Sequence, residues 1–451
     1  MTPTVRLAAF IAGIGIAGLV LPFGVVCALW IGLVVLALID GRSVSGSTEA
    51  VRSVPALARG IASPMRIELA DSAAVRQARR ITIRQPQPPD VTVKPSMGEG
   101  RVLEMTITAR RRGVHMLPPV GVRLEGPLGL AGVVHLVSVS DTVTVHPDLP
   151  TAHRLALAAR RGLLQTEGRS RGPLGLGTEF ESVRDYRPDD DVRRINWLAT
   201  ARTGRAMSTV YRQDDDRDLI LLVDTGRLTA ASFAGLEGDG SGHSLSVTPG
   251  GTAIDAPVFR APLDLGAMTR LDALFDAVAA LALVADEVGD RVAMLAYDYE
   301  EHVRLMPQRR GGRGVVQAAL ALEPRPMDSD HDIAAQRLPA TRRSIVVLAT
   351  ELLDEPNSGS LVGAVARLQS AHDVLVVTSV DPAVESAATG GHLSLRAAAG
   401  QLLADQASLV GRLRSTGASV ITAQPRDLAT ISTRAYLSQR SGARRQRTRK
   451  A

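Results

Sequence analysis

LDALFDAVAALALVADEVGDRVAMLAYD (271–298) opens with Leu271, Leu274, Phe275, Val278, Leu281 and Ala285 at helical spacing and closes on an unbroken apolar run from Val292 to Tyr297. A helix followed at once by a strand apolar on both faces is the repeating unit of a parallel sheet with helical crossovers. The unit recurs on either side. DLILLVD (218–224), SIVVLAT (344–350), DVLVVTS (373–379) and ASVITA (418–423) read as further strands, and residues 315–322, 361–371 and 397–415 as further helices. The alternation predicts an α/β domain over 218–437 built on a doubly wound, mostly parallel sheet, with EHVRLMP (301–307) as an antiparallel edge strand. Within it, the Gly-, Ser- and Thr-rich stretch 226–266 has no period and reads as a mobile surface insertion.

Upstream the period changes from helical to alternating. RRITIRQ, DVTVKP, RVLEMTITARR, GVRLEG, GVVHLVSV and DTVTVHP, punctuated by Pro, Gly and Asp, predict a small β-sandwich over 65–150. Residues 41–64 are small, polar and weakly periodic and read as a linker, and 151–217 as a segment connecting the two folded parts, beginning with a basic helix. From Leu7 to Ile39 no residue is charged, a run of 33, where one membrane-spanning helix takes roughly 20 residues. Pro22 and Gly24 interrupt the run, so a transmembrane helical hairpin over 1–40, with spans near 7–21 and 25–39, fits better than one tilted span. Arg6 precedes the hairpin and Arg42, Arg52 and Arg59 follow it. The positive-inside rule then places the chain in the inner or plasma membrane with its folded domains in the cytoplasm.

Basic residues number 52 and acidic 46, but Arg440, Arg444, Arg445, Arg447, Arg449 and Lys450 crowd the last stretch. Without those six the two signs balance, which argues against a nucleic-acid-binding face. Residues 438–451 read as a basic, disordered tail able to hold membrane lipid of an anionic leaflet. Cys27 is the single cysteine, so an intrachain disulfide and a cysteine-built zinc site are excluded.

The densest stretch is GTEFESVRDYRPDDDVRRINWLATARTGRAMSTVYRQDDDRD (177–218), with eight Arg and ten acidic residues among four aromatics. Such charge either fixes a crossing segment through ion pairs or forms a docking surface; burial of Trp197 is the expectation under the first reading. Glu179, Phe180, Val183, Arg184, Tyr186, Asp190, Arg193, Ile195, Asn196, Trp197 and Arg202 resemble the signature of the bacterial family called domain of unknown function 58. Asp189 stands where that family has Gly. RRRGVHMLPPVGVRLEGPLGLAG (110–132) is similar to the family's DPLGL pattern, with Gly126 in place of Asp. The resemblance implies a von Willebrand factor A-like fold for 218–437 and a MoxR-type AAA+ ATPase as partner, and no established catalytic activity.

A domain of that kind carries its ligand crevice at the carboxyl ends of the first and fourth strands, here Asp224 and the pair Thr350 and Glu351. The resemblance suggests an Asp-x-Ser-x-Ser motif after the first strand, where this chain offers Asp224, Gly226 and Leu228. Two hydroxyl ligands are missing, and RRGGRG (309–314), in the place of a Thr-bearing loop, supplies Arg and Gly. Weak Mg²⁺ binding by Asp224, Thr225 and Glu351 competes with an internally paired carboxylate, with Arg227 as the rival cation, and no functional metal or cofactor is expected. Arg227, Arg309, Arg310 and Arg313 are the candidates for contact with a partner. No histidine pair has ligand spacing, and GxSxG and Walker A are absent. The expectation is a membrane-anchored, non-catalytic interaction protein working with a MoxR-type ATPase; the alternative is an outward-facing, divalent-cation-dependent ligand-binding receptor.

Overall fold

A computed structural model describes residues 2–139, 142–164, 174–187, 192, 195–212, 217–233, 268–340, 342–352, 358–390 and 392–450. The chain divides into two units, Met1–Asp148 with Pro257–Met268, and Leu149–Ala256 with Thr269–Ala451.

The first unit begins with β1 (Thr2–Pro3), α1 (Val5–Ala17) and α2 (Phe23–Ser43). Between the helices lie Gly18 and Pro22, and the Gly18 N–H closes the last turn of α1 on the Ile14 carbonyl. The break falls at Pro22 as expected, but the first helix ends earlier, at Ala17, and Gly24 lies inside α2. At 13 residues α1 is about 20 Å long, shorter than a hydrocarbon core of about 30 Å. Among the described residues α2, with 21, is the one helix long and apolar enough to cross a membrane, and its side chains are largely exposed.

The rest of the unit is β2 (Ala50–Ser53), β3 (Leu57–Ala58), β4 (Ser63–Leu69), α3 (Ala73–Gln77), β5 (Arg80–Arg84), β6 (Val91–Lys94), β7 (Met97–Glu99), β8 (Val102–Ala109), β9 (Gly113–Met116), β10 (Val120–Glu125), β11 (Ala131–Val137) and β12 (Thr142–His146). They form sheets ordered β1-β11-β10-β5-β7, β2-β4-β8-β6 and β3-β12-β9. Alternation puts Met65, Ile67, Ile83, Val93, Ile107 and Val122 into one buried core and their neighbours outward. The expected linker is a correction: residues 41–64 carry β2 and β3, and Val44 and Leu57 belong to that core. Small residues hid this, because strands of two to four residues are too short to show a period.

The second unit opens with α4 (Leu149–Arg160), which packs on α6 (Arg270–Glu287), so this stretch is part of a folded body and not a connector. An arm follows: β13 (Leu174–Asp185), α5 (Trp197–Thr203) and β14 (Met207–Arg212), with β13 and β14 forming a two-stranded antiparallel sheet of their own. The large sheet comprises β15 (Asp218–Asp224), β16 (Arg291–Tyr297), β17 (Glu301–Gln308), β18 (Ile345–Ala349), β19 (Asp373–Ser379) and β20 (Ser419–Ala423) in the order β17-β16-β15-β18-β19-β20. All neighbours are parallel except β17, the antiparallel edge strand read from EHVRLMP. The remaining helices are α7 (Gly312–Ala321), α8 (His331–Gln336), α9 (Ser358–Ala371), α10 (Pro382–Thr389), α11 (Leu393–Ser415) and α12 (Pro425–Lys450). Helices α6 and α12 pack together and on the sheet. Leu361, Val365 and Leu368 of α9 and Leu409 and Leu413 of α11 share a core with Ile220, Leu222, Val346 and Val376 of the sheet.

The expected disordered tail is also corrected. α12 runs through 438–450, and Arg440 donates through Nε to Asp290 Oδ2 at 2.9 Å and through Nη2 to Oδ1 at 3.0 Å, beside the buried Tyr436 hydroxyl on the same carboxylate. Composition alone could not see an acid 150 residues away. Of the expected insertion, 234–266 lies outside the described residues, while 226–233 folds onto the unit with Phe233 buried.

Candidate functional site

Sheet order reverses between β15 and β18, and polar side chains gather at their carboxyl ends. Asp224, last residue of β15, is 2% exposed. Its Oδ1 accepts from the Gly226 N–H at 2.8 Å and from the Ser329 hydroxyl, and its Oδ2 accepts from the Thr350 hydroxyl. Thr225 Oγ1 donates to the Tyr297 carbonyl at 3.0 Å. The Tyr297 hydroxyl lies 2.9 Å from His331 Nδ1, with the two rings edge to face. Beside this cluster, Glu351 is held by Arg270 Nη1 at 2.9 Å and by the Ser379 hydroxyl, while Arg270 Nη2 is 3.9 Å from Asp381. Arg270 also lies over the Phe233 ring, 5.8 Å from its centroid.

These residues do not fit a divalent cation. A hard cation wants several anionic oxygens with free lone pairs. Here Asp224 already accepts three hydrogen bonds, and the charge of Glu351 is met by Arg270. A side chain at Gly226 would run into the Ser329 hydroxyl, so Ser329 occupies the room that a serine at 226 would need. Among the described residues no three His, Cys, Asp or Glu are arranged to hold a metal ion. Arg227, expected as the rival cation, instead pairs with Asp328 at the surface; Arg270 fills that role.

Ser329, His331, Tyr297, Arg270 and Ser379 were not read as site residues from sequence. Ser329 arrives on the segment between α7 and α8 and His331 opens the six-residue α8, where no period marks them. Arg309, Arg310 and Arg313 do not join Arg227. Because β17 runs antiparallel to β16, with Gln308 opposite Val292, its exit turn lies at the amino ends of the parallel strands, the far end of the sheet from Asp224. That displacement was legible once EHVRLMP was read as an antiparallel strand. The turn itself is tight, with Arg310 at φ 58° and Gly311 packed against the Val292 carbonyl.

Burial lowers the His331 pKa below the ordinary value, against the opposing charges of Asp224, Asp330 and Asp332. Burial raises that of Glu351, against Arg270 and Ser379. A lowered histidine stabilises the fold above its unfolded pKa of about 6.5, and that contribution is lost as pH falls from there toward the folded value. Glu351 acts oppositely, relieved as pH falls through its raised value. Melting temperature is therefore expected to fall between pH 7.5 and 5.5, and less steeply in His331→Gln. Parallel pH curves for the two proteins would remove His331 from this account.

The signature segment builds the arm and not a buried junction. Asn196 caps α5 by accepting the Ala199 N–H at 3.0 Å, Gly204 ends it at φ 68°, and Thr200 Oγ1 accepts the Met207 N–H at 3.0 Å. The Tyr186 N–H donates to the Ala206 carbonyl at 2.8 Å, and Arg184 Nη1 donates to the Asp185 carbonyl at 3.0 Å. Glu179 and Phe180 stand opposite Arg212 and Tyr211 in the β13–β14 register. Asp190 and Arg193 lie outside the described residues. Trp197, expected to be buried, is 71% exposed at the first turn of α5, next to Leu198 at 67% and near Val192 at 62%; Arg202 is exposed on the same helix. The capped turn fixes the α5 backbone and leaves its first apolar residues in solvent.

No curated protein matches the chain. A family model described as "Protein of unknown function DUF58" matches residues 182–233 and 265–407, covering most of the arm and the sheet through α11.

Proposed function

The chain belongs to the DUF58 family, and from that footing we propose that it is a membrane-anchored, non-catalytic interaction protein whose arm docks a MoxR-type AAA+ ATPase. One observation carries this reading: Trp197, Leu198 and Val192 are exposed together on a hydrogen-bonded arm. Aromatic and aliphatic side chains displayed this way are the anchors from which protein interfaces are made. The six-stranded sheet is taken as von Willebrand factor A-like. The hydrogen bonds that occupy Asp224 and the ion pair that holds Glu351 favour a domain that works without a metal, and give the cation-dependent receptor little to bind with.

The two apolar helices are read as a transmembrane hairpin. In support, Thr4 before α1 and Asp40 in the last turn of α2 each bond to the loop before β11, as a hairpin with both ends on one side of a membrane would require. With Arg52 buried and donating to the Pro118 carbonyl, the positive flank reduces to Arg6, Arg42 and Arg59, and these favour a cytoplasmic body.

For Trp197→Ala with Leu198→Ala, the unfolding free energy is expected to stay within about 0.5 kcal/mol of the parent, as for exposed positions, while capture of a MoxR-type ATPase by the full chain falls at least tenfold. A large drop in that free energy with retained capture would make the arm structural and sink the docking role.

A further inference from the structure

Between α1, α2 and β11 lies a cavity of about 220 Å³. It is lined by Leu7, Ile11, Trp30, Leu33, Val34 and Leu38 together with the short β1–β11 pair. The volume is below the roughly 300–1,000 Å³ of a pocket for a drug-sized molecule, and suits a length of hydrocarbon chain. Beside it, the side chains of Arg6, from α1, and Arg79, just before β5, lie against the loop before β11. At Gly129, with φ +68°, an added Cβ would lie 2.9 Å from Arg79 Nη1 and 3.3 Å from Arg6 Cδ, so both side chains pass over the same backbone turn. Arg6 and Arg79 are exposed, and Arg6 immediately precedes Leu7 of the cavity wall.

The nearby acid is turned to the loop backbone and not to the two arginines. Asp40 spends its carboxylate on the N–H groups of Leu128, Leu130 and Ala131 at 2.8, 2.8 and 3.0 Å. We propose that this place is an anionic phospholipid site, with an acyl chain in the cavity and the headgroup phosphate between Arg6 and Arg79. Guanidinium forks match phosphate oxygens, and basic groups at the base of membrane helices select anionic headgroups. A second copy of the helices fits less well, because residues 7–39 contain no acidic group to meet the two arginines. The site rests on the membrane-anchored reading above.

The test uses the full chain purified in a neutral detergent, with melting followed on addition of dioleoyl phosphatidylglycerol, dioleoyl phosphatidylcholine or inorganic phosphate. Phosphatidylglycerol is expected to raise the melting temperature by several degrees, and the other two to leave it near the starting value. R6Q with R79Q should abolish that rise without lowering the starting value, and Leu33→Trp, which fills the cavity, should reduce it. Equal shifts with the two lipids, a shift with phosphate alone, or an undiminished rise in the arginine variant would each overturn the site. Alkaline carbonate extraction separates the two readings. A chain that leaves the membrane overturns the anchor and the site with it, whereas a chain that stays but shows no headgroup preference overturns the site alone.

Discussion

Glu351→Ala is expected to cost about 3–5 kcal/mol, the usual consequence of removing one partner of a buried ion pair. Glu351 is 2% exposed and its partner Arg270 has a side chain 12% exposed, so the substitution strands a guanidinium with only Asp381, 3.9 Å away, to answer it. The Ser379 hydroxyl loses its acceptor as well. Chemical denaturation of the full chain in detergent measures the loss. Replacing both partners with apolar residues, Arg270→Met with Glu351→Leu, should recover much of it, since the pair is then absent and no charge is left unpaired. If the single and the double substitution cost the same, the pair is not what makes this crevice stable. The comparison also bears on the metal reading, because a crevice held by an internal cation keeps its stability when chelator is added.

Asp40→Ala should be nearly as damaging, at about 3 kcal/mol or more. Three backbone N–H groups of the loop 128–131 end on that one carboxylate, and each buried donor left unmet costs about 1–3 kcal/mol. Asp40 sits in the last turn of α2, so the loss should appear as loosening between that helix and the β core of the same unit. Amide exchange at Leu130 and Ala131 is the direct readout, with faster exchange expected there and little change at Val122 in the neighbouring strand. Asp40→Asn keeps one acceptor oxygen and should fall between the two. Unchanged exchange in the alanine variant would show that the carboxylate is dispensable. A side chain at Gly126 would collide with the Asp40 carboxylate, so glycine there lets the loop approach α2 this closely.

The periods in the sequence translate directly into elements. DLILLVD and DVLVVTS are β15 and β19 residue for residue, and the helix read from Leu271 to Val288 is α6 within one residue at either end. Buried strands are legible because a sheet covered on both faces demands apolar residues without interruption. The break between α1 and α2 is legible because Pro acts locally. Shorter elements escaped: α8 with six residues and α10 with eight are too brief for a helical period to stand out.

The candidate site was legible only in its first members. Asp224, Thr350 and Glu351 follow from a rule about strand ends, which needs nothing but the order of the elements. Their partners do not follow from it. Ser329 stands 105 residues from Asp224 and Arg270 81 from Glu351, and nothing local in the chain marks either as a donor. The signature segment shows the same limit. Its charges and aromatics fit a buried junction and an exposed arm equally well, and Trp197 is solvent-facing because Asn196 and Gly204 cap a short helix on an isolated two-stranded sheet.

By itself, then, the chain determined which segments are strands and helices, where the apolar run breaks, and which strand ends would meet, since each of these depends on residues near one another in sequence. The tertiary structure alone decided that Asp224 is hydrogen-bonded and Glu351 ion-paired from within, that Arg309, Arg310 and Arg313 lie at the far end from Arg227, that Val44, Leu57 and Arg440 belong to folded units, and that Trp197 faces solvent. Burial and pairing are properties of neighbours brought together across tens to hundreds of residues, and no local period encodes them.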